Sequence, residues 1–81
     1  MSEADIAARL TGALAAAADD AAGGATQLVS IAIELTSREA VARVETRAER
    51  KTRTLAFMSA DAFDAEGARV ASATSVHRIA D

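Results

Sequence analysis

The start of the chain shows the hydrophobic pattern of an amphipathic helix. Apolar residues recur along one stripe, about every four positions at first: Ile6, Leu10, Leu14, Ala17, Ala18 and Ala21. Ser2 is a favourable N-cap, and Asp5 three residues later completes a pair of the capping-box type. Gly23 and Gly24 supply a stop, one of them in the left-handed conformation. The pattern predicts a helix over residues 3–22.

From Thr26 onward the hydrophobic period changes to two, which is typical of strands with one buried face. Four strands are predicted, over about 26–36, 40–48, 52–64 and 69–79. The segment 64–67, Asp-Ala-Glu-Gly, is typical of a hairpin turn, with Gly67 in the positive-φ position. We expect a single α+β domain over 1–81, with one helix packed on an antiparallel meander of four strands.

The second and third strands are predicted to differ in how their faces are covered. The inward face of the second carries small and apolar side chains: Ala40, Ala42, Val44, Thr46 and Ala48. Its other face is charged, and Glu49-Arg50-Lys51 is predicted to form the turn that follows. In the third strand both faces carry apolar residues: Ala56, Met58, Ala60 and Ala62 on one, and Leu55, Phe57 and Phe63 on the other. We therefore expect both faces of the third strand to be partly covered.

Composition limits the possible classes of function. The 81 residues include no Cys and one His, so the sequence offers neither a disulfide nor a zinc site. Oligomerisation is the reinforcement left for so small a core. A net charge of -3, with two Phe and no Trp or Tyr, argues against nucleic-acid binding. The apolar run 10–18 lacks a preceding basic region and is too short to span a membrane. We expect a soluble, cytoplasmic homodimer or higher homo-oligomer with no membrane partner.

Two groups of charged residues are candidates for chemistry. Asp19 and Asp20 fall in the last turn of the predicted helix, where acids are unfavourable by about 0.3–1 kcal/mol each. An unfavourable placement without visible compensation is typical of functional sites. Arg50, Lys51 and Arg53 form a compact basic cluster that suits a phosphate-bearing ligand. The structural alternatives are a pair of solvated acids before the glycines and a solvated basic turn.

The single imidazole, His77, lies in the last predicted strand between Val76 and Arg78. No Ser or Cys stands in a recognisable triad context, so a histidine-activated nucleophile has little support. We expect His77 at the surface or in a subunit interface.

Several segments, taken in order, resemble one family. The run RKTRTLAFM at 50–58 is similar to a strand of thioesterases of the phenylacetate-degradation type, and DAEGARVASAT at 64–74 is similar to their closing hairpin. Gly12-Ala13-Leu14 with Ala18-Asp19 resembles the helix of that family. The chain thus resembles a hotdog-fold acyl-CoA thioesterase, in which a curved antiparallel sheet wraps a long helix. Relative to that family the chain is N-terminally shortened, and Leu10-Thr11-Gly12 stands where members carry a His-Gly-Gly-like run.

This resemblance implies an acyl-CoA substrate, with the coenzyme A moiety as part of the substrate and no separate cofactor. It implies Asp19 as nucleophile or as the base that activates water, and Gly12 as a backbone donor to the thioester oxygen. It places Arg50, Lys51 and Arg53 near the phosphates of coenzyme A. Active sites in the family lie between subunits. The alternatives are a non-catalytic hotdog module that binds acyl groups or coenzyme A, and a purely structural oligomerisation module.

Overall fold

The computed structural model describes residues 1–80. It contains one helix, α1, at Glu3–Ala22, followed by four strands: β1 at Thr26–Leu35, β2 at Arg43–Lys51, β3 at Leu55–Phe63 and β4 at Arg69–Ile79. All strand pairs are antiparallel and form one four-stranded sheet. The α+β class, with one helix on a four-stranded antiparallel sheet, is therefore confirmed.

Hydrogen bonds at both ends fix the length of α1. The Ser2 side chain accepts a hydrogen bond from the Asp5 N–H at 3.0 Å, which satisfies one of the free amides of the first turn. At the other end Gly23 has φ 72°, a left-handed conformation that glycine adopts without steric cost. One stripe of the helix is completely buried: Ile6, Leu10, Leu14 and Ala18. This stripe is the face that the sheet covers.

The strand order in the sheet is β1-β4-β3-β2, so the expected meander in chain order is wrong. β1 pairs with β4, and residues 36–42 carry the chain across to the far edge, where β2 begins. The N–H groups of Thr36 and Ser37 donate to the Val70 carbonyl at 2.8 and 3.2 Å, which holds this connection to the sheet. β4 is mostly buried and suits the centre, whereas the charged β2 suits an edge.

β2 begins three residues later than predicted, and the segment before it is not a strand. Ala40 and Ala42, expected to face inward, are exposed, while Val41 between them is only 6% exposed and joins the core. The Arg9 side chain donates to the Val41 carbonyl at 3.0 Å. Val41, rather than either of its alanine neighbours, is therefore the residue that this connection contributes to the core.

The turn between β2 and β3 also lies later than predicted. Residues 49–51, expected to form it, belong to β2, and the pairing register shifts between Ala48 and Arg50. The turn is built on Thr52, whose N–H donates to the Leu55 carbonyl at 2.8 Å and whose hydroxyl accepts from the Leu55 N–H at 3.0 Å. The extra residue at the bulge extends the strand and moves the turn to residues 52–54.

The core lies between α1 and the inner face of the two central strands. On this face β3 and β4 present Met58, Ser75 and five alanines to the helix. The alanines are Ala56, Ala60, Ala62, Ala71 and Ala73. We call the opposite side of the sheet the outer face. There Leu55, Phe57 and Phe63 are half-buried, so both faces of β3 are partly covered, as expected.

Leu10→Ala tests how far the domain depends on this core. Leu10 is completely buried at the middle of the helix stripe, so its truncation is expected to reduce the free energy of unfolding by about 2–5 kcal/mol. Urea unfolding at one fixed protein concentration measures the change. Ala16→Ser, on the exposed side of the same helix, is the control and is expected to cost well under about 1 kcal/mol. A loss for Leu10→Ala no larger than that of the control would contradict the assignment of the core.

Candidate functional site

Asp19 is exposed, and its side chain is held by a single residue of β1. Its Oδ1 accepts one hydrogen bond from the Thr26 N–H at 2.8 Å and another from the Thr26 hydroxyl at 2.6 Å. These two bonds, the hydroxyl's first, lower the pKa of Asp19 below its ordinary value of 3.8. The carboxylate is therefore ionised at neutral pH. Thr26 also supplies the compensation for an acid at the negative helix end, which the sequence did not reveal.

Asp19 and the turn at 52–54 lie at the same end of the domain. Thr26 stands opposite Ile79 in the sheet, and the Ile79 N–H donates to the Thr54 carbonyl at 2.8 Å. A continuous path of hydrogen bonds and strand pairing thus runs from Asp19 to that turn. The structure therefore brings the two groups of sequence-predicted residues to one end of the domain.

Gly12 lies in the interior of α1, away from this end. Seven residues separate it from Asp19, or about 10 Å along the helix axis at 1.5 Å per residue. In an α-helix the N–H of each interior residue bonds the carbonyl four residues earlier, so the Gly12 amide is already used. The free amides of the helix start, at Glu3, lie about 24 Å from Asp19 by the same measure. Within one chain, neither source of backbone donors reaches Asp19.

The three basic residues predicted to meet phosphates are all exposed but point in different directions. Arg50 lies opposite Phe57 on the outer face, with its guanidinium carbon 5.5 Å from the centroid of that ring. Lys51 lies opposite the buried Ala56 and therefore on the helix side of the sheet. Arg53 lies in the turn between the two strands. The three charges surround one end of the sheet rather than lining one wall.

His77 is buried, at 1% exposure, so its predicted position at the surface or in an interface is wrong. Its Nε2 lies 2.7 Å from the hydroxyl of Ser75, which is buried on the same inner face. Burial lowers the pKa of His77, while the charge of Asp19 acts in the opposite direction. The alternation of Ala71, Ala73, Ser75 and His77 in β4 was the signal that would have placed both polar residues inside.

The outer face of the sheet divides into an apolar and a charged part. Near the 52–54 turn, Phe57 and Val76 line a shallow cavity of about 360 Å³. Farther along, Asp61 accepts from Arg47 at 3.0 Å and from Arg69 at 3.4 Å. Arg47 also pairs with Glu49 at 2.6 Å, so two arginines meet two carboxylates and this cluster has no net charge.

Neither a metal site nor a membrane span emerges from the described part of the chain. Among residues 1–80, no three His, Asp or Glu side chains come close enough together to hold a metal ion. Over the same residues, no helix is both long enough and apolar enough to cross a membrane.

The hydrogen bonds to Asp19 predict an acid-dependent stability. Because its pKa is lowered in the folded state, its stabilisation is present above the unfolded value, about 3.9, and is lost as pH falls through the folded pKa. Asp19→Asn keeps an acceptor oxygen but cannot titrate. Urea unfolding between pH 6 and pH 2 is expected to show the advantage of the wild type over Asp19→Asn shrinking at low pH. Asp20→Asn is the control, and an advantage over Asp19→Asn that does not change with pH would contradict the prediction.

Comparison with known proteins supports the fold. No protein-family profile matches the sequence, and no curated protein matches it. A crystal structure of a protein from the thioesterase superfamily superimposes with a TM-score of 0.84 at 18% sequence identity. The match covers 99% of this chain and 62% of that one, so the chain spans less than two thirds of its neighbour's length. The domain therefore has the hotdog fold, as its sequence predicted, with a structural neighbour in the thioesterase superfamily.

Proposed function

We propose that this hotdog domain hydrolyses an acyl-CoA thioester, with Asp19 as nucleophile or as the base that activates water. The observation that carries the proposal is the exposed, ionised carboxylate of Asp19 at the same end of the domain as Arg50, Lys51 and Arg53. A carboxylate for the acyl carbon and cations for the phosphates are the two features that such a substrate requires.

Thr26 orients Asp19 for this role. Both of its hydrogen bonds go to Oδ1, which holds that oxygen at the start of β1 and leaves Oδ2 as the oxygen for a substrate. The lowered pKa makes Asp19 a weaker base but keeps it fully ionised at neutral pH. This combination favours direct nucleophilic attack over activation of water.

The donors that stabilise the developing oxyanion come from a second copy of the chain in this proposal. The Gly12 amide is engaged within the helix, and the free amides at Glu3 lie about 24 Å from Asp19 in the same chain. Two chains related by a two-fold axis can place the donors of one beside the carboxylate of the other. Because the Gly12 amide is engaged in either copy, the donors in this proposal are the free amides of the helix start, and two protomers build the site together.

The two edges of the sheet indicate which strand joins the protomers. β1 carries three exposed large apolar side chains, Leu28 at 40%, Val29 at 51% and Leu35 at 41% exposure. β2, at the opposite edge, is mostly charged along its outer face, which protects an edge from pairing. A two-fold axis through Ala32 would set Ile31 opposite Ile33 of the second copy. We therefore propose a homodimer formed by antiparallel pairing of β1 with β1.

The alternative is a non-catalytic module that binds coenzyme A or an acyl group. The observation in its favour is that Thr26 gives Asp19 a complete structural role, linking the end of α1 to the start of β1. The enzyme and the module differ in turnover. An oligomerisation module without any ligand differs from both, because coenzyme A would not raise its melting temperature.

Thioester hydrolysis tests the role of Asp19. A panel of short-chain, medium-chain and aryl acyl-CoAs is assayed with the wild type, and Asp19→Asn is expected to reduce kcat/KM by about 100-fold or more. The variant retains the acceptor for Thr26, so its melting temperature at neutral pH serves as the check on folding. Asp20→Asn is expected to keep activity within a few-fold of the wild type. Absence of turnover in a folded, dimeric wild type would reject the thioesterase proposal for these substrates.

Charge placed on the β1 edge tests the proposed dimer. Val29→Lys introduces one cation into the apolar edge of each copy. It is expected to weaken dimerisation at least about tenfold. Ala48→Lys places the same charge at the other edge and is expected to leave the dimer intact. Sedimentation velocity over a concentration series measures both. A monomeric wild type, or dissociation by Ala48→Lys alone, would contradict β1 pairing.

A further inference from the structure

We infer that Arg78 acts with Arg50 and Arg53 as a binding site for a phosphate group. The family resemblance implies phosphate contacts near the β2–β3 turn only, whereas Arg78 lies in the last strand, 25 residues beyond Arg53. The inference deepens the proposed function, on which its ligand class rests, by naming a residue of β4 that recognises the anionic part of the substrate.

The partners of the nine cationic side chains separate them into two groups. Five of them are engaged by a carboxylate or a backbone carbonyl: Arg9 with Val41, Arg38 with Glu3, Arg43 with Glu45, Arg47 with Glu49 and Asp61, and Arg69 with Asp61. The other four form no ion pair with any residue in 1–80: Arg50, Lys51, Arg53 and Arg78. All four lie at the same end of the sheet. The chain as a whole has a net charge of -3, so the unpaired positive charge is confined to this end of the sheet.

Strand register places Arg78 and Arg50 on either side of one apolar strip. Arg78 stands opposite Leu55, and Arg50 stands opposite Phe57, two residues farther along β3. Residues directly opposite each other lie on the same face with Cβ atoms about 4.5–5.5 Å apart. Both arginines therefore rise from the outer face, one from each side of β3. Arg53 precedes Leu55 by two residues and borders the same strip from the turn.

The guanidinium groups are available to an anion. The Arg50 guanidinium lies over the Phe57 ring, a contact that uses its flat face and leaves the N–H donors at its edge free. Arg78 borders a cavity of about 220 Å³ together with Thr26, the residue that holds Asp19. Arginine recognises phosphate through paired N–H donors, so two or three arginines around one apolar strip suit a phosphate ester. The site therefore lies at the same end of the sheet as Asp19, with Arg78 on the outer face and Asp19 on the helix side.

The test uses the full chain and measures binding directly, with and without phosphates on the probe. Isothermal titration calorimetry is run with coenzyme A, inorganic pyrophosphate and phosphate-free pantetheine. The ionic strength is fixed at about 0.1 M, at which electrostatic interactions are screened beyond about 10 Å. Arg78→Gln and Arg50→Gln are each expected to weaken coenzyme A and pyrophosphate about tenfold or more. Pantetheine binding is expected to be unchanged in both variants.

Two variants in the same strands are matched controls. Arg69→Gln removes a β4 arginine that is paired with Asp61, and Arg43→Gln removes a β2 arginine that also lies over a phenylalanine ring, 4.2 Å from the Phe63 centroid. Each is expected to change the dissociation constants less than about threefold. Arg78→Lys, which keeps the charge but loses the paired donors, is expected to fall between wild type and Arg78→Gln. Thermal melts confirm that every variant is folded.

Three results would overturn the inference. The wild type could bind neither phosphate probe, or the Arg78→Gln variant could bind both probes as tightly as the wild type does. The third is that Arg69→Gln weakens binding of the probes as much as Arg78→Gln does. This third result would show that the phosphate probes respond to the overall positive charge of the surface and not to a specific site. Failure of the proposed function is a separate outcome. Phosphate binding that depends on Arg78, without any thioester hydrolysis, removes the catalytic role of Asp19 and supports the site at Arg78.

Discussion

The contact of the α1 stripe with the alanines of β3 and β4 is the constraint on which the remaining structure depends. Ile6, Leu10 and Leu14 have no exposed surface, and each contributes about 1.5–3 kcal/mol by its burial. Alanine has no side-chain atom beyond Cβ, so the sheet can approach the helix closely. The helix therefore packs closely on the two central strands, and this packing holds the end of α1, with Asp19, beside Thr26 of β1.

The structural role of Asp19 at the end of α1 does not exclude the catalytic role proposed for it. Its hydrogen bonds to Thr26 link the helix to β1, and the same bonds keep the carboxylate ionised and oriented. A side chain whose geometry is fixed by the fold is well prepared for chemistry, since little reorganisation is needed when a substrate arrives. Structural use of Asp19 is therefore compatible with catalysis, and only turnover distinguishes the two.

Sequence patterns predicted the fold class because helix and strand periods are local properties. The four-residue spacing of Ile6, Leu10 and Leu14 and the alternation around Met58 needed no knowledge of distant contacts. The position of β1 beside β4 was not predictable in this way, since strand order depends on which pairings bury more surface. The burial of His77 follows from the alternation of β4, although a polar side chain of this kind is more often at least partly exposed.

The candidate site was predicted only in part, for a similar reason. Asp19 and the basic turn are each visible as short runs, but their location at one end of the domain depends on the pairing of Thr26 with Ile79. Arg78 carries no local signal at all. Its separation from the paired cations becomes visible only when every ion pair of the folded chain is known.

The sheet order also determines how the chain must fold during synthesis. β1 leaves the ribosome before the other three strands, yet its partner β4 is the last of the four to emerge, about 40 residues later. Throughout this interval the apolar β1 has no partner within its own chain, and closing so long a loop makes its pairing slow. The β2–β3–β4 hairpins can form as local units, whereas β1 stays open to pairing with neighbouring chains. Crowded nascent chains of this protein are therefore most exposed to misassembly at β1, the strand that the folded domain leaves at its apolar edge.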